Sequence, residues 1–171
     1  MKREPLPVYV AEREPLPVYV AAPYDRAYDV RTVHEQLRAR GAKPTSQWAT
    51  LAKGIEQLDV MSRSEIASAI EVNDHCLRQA RILLVLASQG TGGEMFAEVA
   101  RALSWGMGVL WVGRRILSAY RPNVYLCEHR GAAFAAIEYA AAHDGAAVDS
   151  GRARHLLAEF FRAQPAEASG A

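Results

Sequence analysis

Two glutamates one helical turn apart, Glu94 and Glu98, follow the glycine-rich stretch Ser88-Gln-Gly-Thr-Gly-Gly93, itself preceded by the apolar run Arg81-Ile-Leu-Leu-Val-Leu-Ala87. A second apolar run, Gly108-Val-Leu-Trp-Val-Gly113, comes after them. The order reads strand, tight loop, helix, strand. In a parallel α/β sheet, ligands bind just past the carboxyl ends of the strands, where helix N-termini aim unpaired N–H groups into the crevice. The segment therefore sets one or two carboxylates at a mouth where small molecules react. The partial positive charge at that helix N-terminus is worth roughly 0.3–1 kcal/mol to an anion or carboxylate.

Gln89-Gly-Thr-Gly-Gly93 lacks the Lys-Ser/Thr of a P-loop and does not fit G-x-G-x-x-G, so neither a nucleoside triphosphatase nor a dinucleotide site follows from it. Its glycines, Gly90, Gly92 and Gly93, still suit a loop that a ligand approaches closely. On the helix, Glu94, Glu98, Arg101 and Trp105 share one face, and Phe96, Val99, Ala100 and Leu103 form the opposite, buried one. A solvated polar face accounts equally for this spacing, with Thr91-x-x-Glu94 as a capping box and Glu98–Arg101 as an i,i+3 pair. Tyr19, Tyr24 and Asp25 fall at the end of the first strand, and Asp74 falls in the last turns of the helix that leads into the central strand. His34, His75, His129, His143 and His155 stand in unrelated contexts and are assigned no role.

The elements that must position these residues fit in one domain of 171 residues. Twenty Lys+Arg against 19 Asp+Glu leave a net charge of +1, without a basic stripe, which argues against duplex nucleic acid as a partner. Cys76 and Cys127 form no CxxC, and no histidine cluster has metal-ligand spacing, so two reduced cysteines and no metal or other cofactor are expected. No signal-peptide h-region or membrane-length apolar run appears, and a cytoplasmic location with no membrane contact is expected.

Residues 3–11 recur identically as 13–21, Arg-Glu-Pro-Leu-Pro-Val-Tyr-Val-Ala, which reads as a recent duplication or a cloning scar rather than a solenoid. The second copy is the first central strand, because it leads into Ala22-Pro23-Tyr24-Asp25 and a helical pattern. Residues 1–12 are then a duplicated tail, an added edge strand or a segment lent to a neighbouring subunit, with 13–164 the domain and 165–171 a frayed end. Helices are expected over 25–40 (Val30, Val33, Leu37 and Ala27 inward, stopped by Gly41), over 62–79 (Ile66, Ile70 and Leu77 inward, Ser62-x-x-Glu65 as cap), over 131–143 and over 150–164 (stripe Leu156, Leu157, Phe160, Phe161). Residues 43–49, with Gln47 and Trp48, read as a short strand or loop, residues 50–60 as a short helix or loop, and 123–127 as a short strand. Strands alternating with helices give an α/β fold, a doubly wound, flavodoxin- or Rossmann-like parallel sheet of four or five strands.

Val18-Tyr-Val-Ala-Ala-Pro-Tyr24 resembles the opening strand of the nucleoside 2-deoxyribosyltransferase superfamily. Asn73-Asp74 and the run to Ala87 resemble its Asp-bearing helix and central strand, and Gly90-Thr-Gly-Gly-Glu-Met-Phe-Ala-Glu-Val-Ala-Arg-Ala-Leu-Ser-Trp-Gly106 its Gly-Thr loop and glutamate-bearing helix. The resemblance, over residues 17–127, implies cleavage of the N-glycosidic bond of a deoxynucleoside or deoxynucleotide by a glutamate nucleophile, the sugar passing to another base or to water. It also implies a homo-oligomer, dimer or higher. Matching from Gly90-Thr91 makes Glu94 the nucleophile; matching from Gly106 makes it Glu98, followed two places on by small Ala100 rather than by Phe96, and Glu98 is preferred. By the same resemblance Tyr19 contacts the nucleophile, Asp74 lies near the sugar, and Asn123 is lent across a subunit interface. Ala22, Pro23, Tyr24, Trp48 and the loop Gly90, Thr91, Gly92, Gly93 are expected to border the substrate. Gly90–Gly93 stands where transferases often carry an acid for the base, which keeps nucleotide hydrolysis a close competitor. Ser88, Arg114 and Arg115 are the candidates for a 5′-phosphate. The alternatives are a nucleotide-binding or sensing domain of the same fold without chemistry, and a phosphoribohydrolase, which shares only Gly-Thr-x-x-Glu.

Overall fold

The computed structural model describes residues 14–23, 26–51, 61–89, 91–144 and 149–164. The expectations for the duplicated tail, for Tyr24, Asp25 and Gly90, for most of 50–60 and for the C-terminal end lie outside these residues. Five strands, β1 (Leu16–Ala21), β2 (Ala42–Pro44), β3 (Ile82–Ala87), β4 (Gly108–Gly113) and β5 (Val124–Cys127), form one all-parallel sheet in the order β2-β1-β3-β4-β5. The helices are α1 (Ala27–Arg38), α2 (Trp48–Leu51), α3 (Arg63–Gln79), α4 (Gly93–Ser104), α5 (Arg130–Asp144) and α6 (Ser150–Ala163), with a 3₁₀ turn at Leu117–Tyr120. This is a doubly wound α/β fold. The second copy of the repeat is β1, and β1 and β3 are almost wholly buried, as central parallel strands covered on both faces must be.

The chain leaves β1 toward β2 on one side, and β3 leads to β4 on the other, so the strand order reverses between β1 and β3. That reversal opens a crevice beyond their carboxyl ends. Register sets Tyr19 beside Leu83 and Ala21 beside Val85. At the other rim of β3, Ala87 pairs with Gly113, whose φ of +100° brings its backbone so near that an added Cβ would sit 2.2 Å from the Ala87 carbonyl oxygen.

Helix boundaries follow local chemistry. In α1, Val30, Val33 and Leu37 are buried as expected, and the chain reverses at Gly41 with φ +74°. The Ser62 hydroxyl accepts from Glu65 N–H while the Glu65 carboxylate accepts from Ser62 N–H, completing the expected capping box of α3. α5 buries Ala133, Phe134, Ala136, Ile137 and Ala140, and α6 buries Leu156 and Leu157, with Phe161 stacked on Tyr125 at 5.1 Å.

Two expectations are corrected. Ile66 and Ile70 do not point inward: each is 39% exposed, and α3 buries Cys76 and Leu77 near its C-terminal end. Residues 63–75 of α3 are all exposed or half-buried, and the helix reaches the core only from Cys76 onward. Of residues 43–49, expected as a short strand or loop, those up to Pro44 form β2 and 45–47 a loop, but Trp48 and Ala49 open α2. After Pro44 the chain is held by Thr45 N–H donating to Val18 O and by Ser46 Oγ accepting from Val20 N–H. Among the described residues, no helix is long and apolar enough to cross a membrane.

Candidate active site

A cavity of about 220 Å³ opens at the reversal point between β1 and β3. β1 delivers Ala22 and Pro23 from its carboxyl end; α2 delivers Trp48, α3 Asn73, and the start of α4 Gly92, Gly93, Glu94, Met95 and Glu98. Trp48 is fixed by its indole N–H, which donates to Val20 O at 3.0 Å. Of the expected substrate-bordering residues, Ala22, Pro23, Trp48, Gly92 and Gly93 meet here. Asn73 and Met95 line the cavity too, although the sequence reading gave them no part.

Glu98 is the acid turned inward. It is 7% exposed, and its Oε1 accepts a hydrogen bond from the Tyr19 hydroxyl at 2.6 Å across 79 positions of sequence. Burial pushes its carboxyl up to about 7; the Tyr19 hydroxyl opposes this, Glu94 raises it further, Arg101 lowers it, and Asp74 raises it. Glu94 sits one turn earlier at the cavity edge with its side chain 52% exposed. The expected meeting of Tyr19 with a glutamate is therefore found, and the glutamate is Glu98.

The orientation of α4 corrects the sequence reading. Met95, Glu98, Val99 and Ala102 are buried, whereas Phe96 is 37% exposed and Ala100 is exposed, so Glu98 belongs to the inward stripe rather than to a solvated face. Thr91 does not cap the helix either: Gly92 occupies the N-cap, and the Thr91 hydroxyl accepts from Ser88 N–H at 2.8 Å, tightening the loop. Nor does Arg101 pair with Glu98. Its Nη1 lies 2.8 Å from Asp74 Oδ1 and 3.5 Å from Glu94 Oε1.

Asp74 accordingly borders the site through Arg101 rather than lining the cavity. Asn123 lies at the far end of the sheet, entering β5 with φ +65°, where its carbonyl accepts from Val109 N–H. Arg114 leaves β4 and donates to Gln89 Oε1 at 3.1 Å, beside the glycine-rich loop.

Beneath the cavity wall, His34 is 2% exposed with its Nε2 2.8 Å from Ser46 Oγ, the hydroxyl that also accepts from Val20 N–H. Burial, with Arg38 nearby, lowers its pKa to about 4, so the ring is neutral at neutral pH. Cys76 and Cys127 are free and buried, and burial pushes the Cys127 thiol up to about 12, far from a thiolate nucleophile. No protein-family model matches the chain, and no curated protein matches it.

Proposed function

We propose that the chain cleaves the N-glycosidic bond of a deoxynucleoside or deoxynucleotide, with Glu98 as nucleophile. The observation that carries this reading is the buried Tyr19–Glu98 hydrogen bond, 2.6 Å long, at the wall of a cavity beyond β1 and β3. Loss of the base from a deoxyribosyl carbon passes through an oxocarbenium-like transition state, which a carboxylate beneath the sugar stabilises and then captures. A glutamate oxygen bonds to the anomeric carbon as the C–N bond breaks, and the departing nitrogen takes up a proton from solvent water at the open mouth. A second base or a water molecule then displaces the glutamate from that carbon.

Each neighbour has a part in this scheme. The Tyr19 hydroxyl fixes the orientation of the attacking carboxylate, and a low-dielectric setting strengthens its attraction to the developing cation. Trp48, Pro23 and Met95 supply apolar wall for a base or sugar, and Gly92 and Gly93 let substrate approach the backbone at the N-terminus of α4. The raised pKa of Glu98 makes attack more effective as pH increases through about 7, where the carboxylate form takes over. The partner is thus a small nucleoside or nucleotide, and a second copy of the chain completes a homo-oligomer in the cytoplasm.

The test is chromatographic detection of free base from deoxynucleosides and their 5′-phosphates, with and without an acceptor base, alongside intact-mass detection of a glycosylated chain. Glu98→Ala is expected to abolish release and Glu94→Ala to weaken it; full turnover by Glu98→Ala overturns the assignment. The engagement of Asp74 by Arg101, outside the cavity lining, favours as second reading a nucleotide-sensing domain of the same fold. Ligand binding without base release would distinguish it.

A further inference from the structure

Among the described residues, two carboxylates on α4, Glu94 and Glu98, line the cavity, and a third, Asp74 on α3, lies just outside it. Arg101, one turn beyond Glu98, reaches Asp74 at 2.8 Å and Glu94 at 3.5 Å. Glu98 instead takes its hydrogen bond from the neutral Tyr19 hydroxyl. We infer that Arg101 is a positioning residue of this site: its guanidinium ties Asp74 outside the cavity to Glu94 at its edge, fixes α3 against α4 at the cavity wall, and leaves Glu98 as the acid turned in.

The arrangement has chemical consequences. Both contacts are made by the same nitrogen, Nη1, so the link is one positive charge shared by two carboxylates, which a lysine ammonium can reproduce in part. Without it, Glu94 at the cavity edge and Asp74 just outside would be left uncompensated near Glu98, opposing the ionised form that attack requires. Among the described residues, the charged and titratable groups facing Glu98 are Tyr19 from β1, Asp74 from α3, and Glu94 and Arg101 from its own helix. Loss of the one cation among them therefore moves Glu98 toward its protonated form. It also frees Asp74 from the orientation in which it is held.

This role rests on Glu98 as the reacting acid only for its effect on turnover. The experiment is a carboxyl-carbon NMR titration of the full chain, carried out on wild type, Arg101→Gln, Arg101→Lys and Asp74→Asn, with kcat/KM profiles beside it. The Glu98 midpoint is expected to rise in Arg101→Gln, return toward wild type in Arg101→Lys, and fall in Asp74→Asn. Where base release is present, kcat/KM of Arg101→Gln should fall about threefold more at pH 6 than at pH 8. An unchanged Glu98 midpoint in folded Arg101→Gln overturns the inference. Should that variant not fold, an unchanged midpoint in Asp74→Asn overturns it equally. Absence of base release by wild type, with the midpoint shifts intact, sinks the glycosidic reading alone.

Discussion

At the scale of the residue, the site reduces to one carboxyl group pulled two ways. Burial favours its neutral form and raises it to about 7, while the Tyr19 hydroxyl favours the anion that attack needs. Tyr19→Phe removes only that hydroxyl. The Glu98 carboxyl should then titrate higher, moving the acidic limb of kcat/KM to higher pH. A hydrogen bond to a charged group contributes about 1.5–3 kcal/mol, so kcat/KM near neutral pH should fall roughly 10- to 100-fold. A pH–rate profile checks both effects, and a loss that is equal at every pH would mean that the hydroxyl does not act through the Glu98 proton.

At the scale of the element, what sequence could and could not convey separates cleanly on α4. Apolar runs announced β3 and β4, the duplicated segment announced β1, and Ser62 and Glu65 announced the start of α3, because each signal is local to the chain. The faces of α4 are not legible from residue type, which ranks Glu98 as polar and Phe96 as apolar, whereas the crevice at the strand reversal buries the former and leaves the latter 37% exposed. The meeting of Tyr19 with Glu98 followed only from resemblance, since 79 positions of chain separate them. Asn73, which lines a cavity shared with other elements, and Arg101, whose shorter ion pair is to Asp74 on α3, are not legible locally for the same reason. Ile66 and Ile70 show that a helical stripe gives direction but not how much of the helix the core covers. The close approach of β4 to β3 at Gly113 supplies an element-scale prediction. Gly113→Ala demands a left-handed φ of +100° and places a methyl 2.2 Å from Ala87 O, against the carbonyl that also accepts from Arg114 N–H. It should destabilise by at least about 2 kcal/mol, visible as a lower urea midpoint, and it should loosen the Arg114–Gln89 contact beside the glycine-rich loop.

At the scale of the whole molecule, two buried groups set opposing pH dependences. His34 has its pKa lowered from 6.5 to about 4 in the folded chain, so between those values the unfolded chain binds more protons and stability rises with pH. Its contribution is complete above about 6.5 and is lost as pH falls toward 4. Glu98 has its pKa raised from 4.5 to about 7, so between those values the folded chain holds the extra proton and stability falls as pH rises. Each slope approaches about 1.4 kcal/mol per pH unit in its window. The windows overlap from about 4.5 to 6.5, and there the two terms nearly cancel. Single substitutions should expose what the pair conceals. Glu98→Gln, which keeps an acceptor for Tyr19, leaves the His34 term alone, so stability should climb with pH through this interval and exceed wild type at pH 8 by on the order of 2–3 kcal/mol. His34→Gln, which keeps a polar atom for Ser46, leaves the Glu98 term alone, so stability should decline with pH from about 4.5 to 7. The double variant should return to a flat profile. Urea unfolding at intervals from pH 4.5 to 8 measures all four chains, and parallel profiles for wild type and both single variants would show that neither buried group titrates differently in the folded and unfolded states. A rise for Glu98→Gln with no fall for His34→Gln would assign the pH dependence to the histidine and remove the case for a carboxyl that gives up its proton near neutrality.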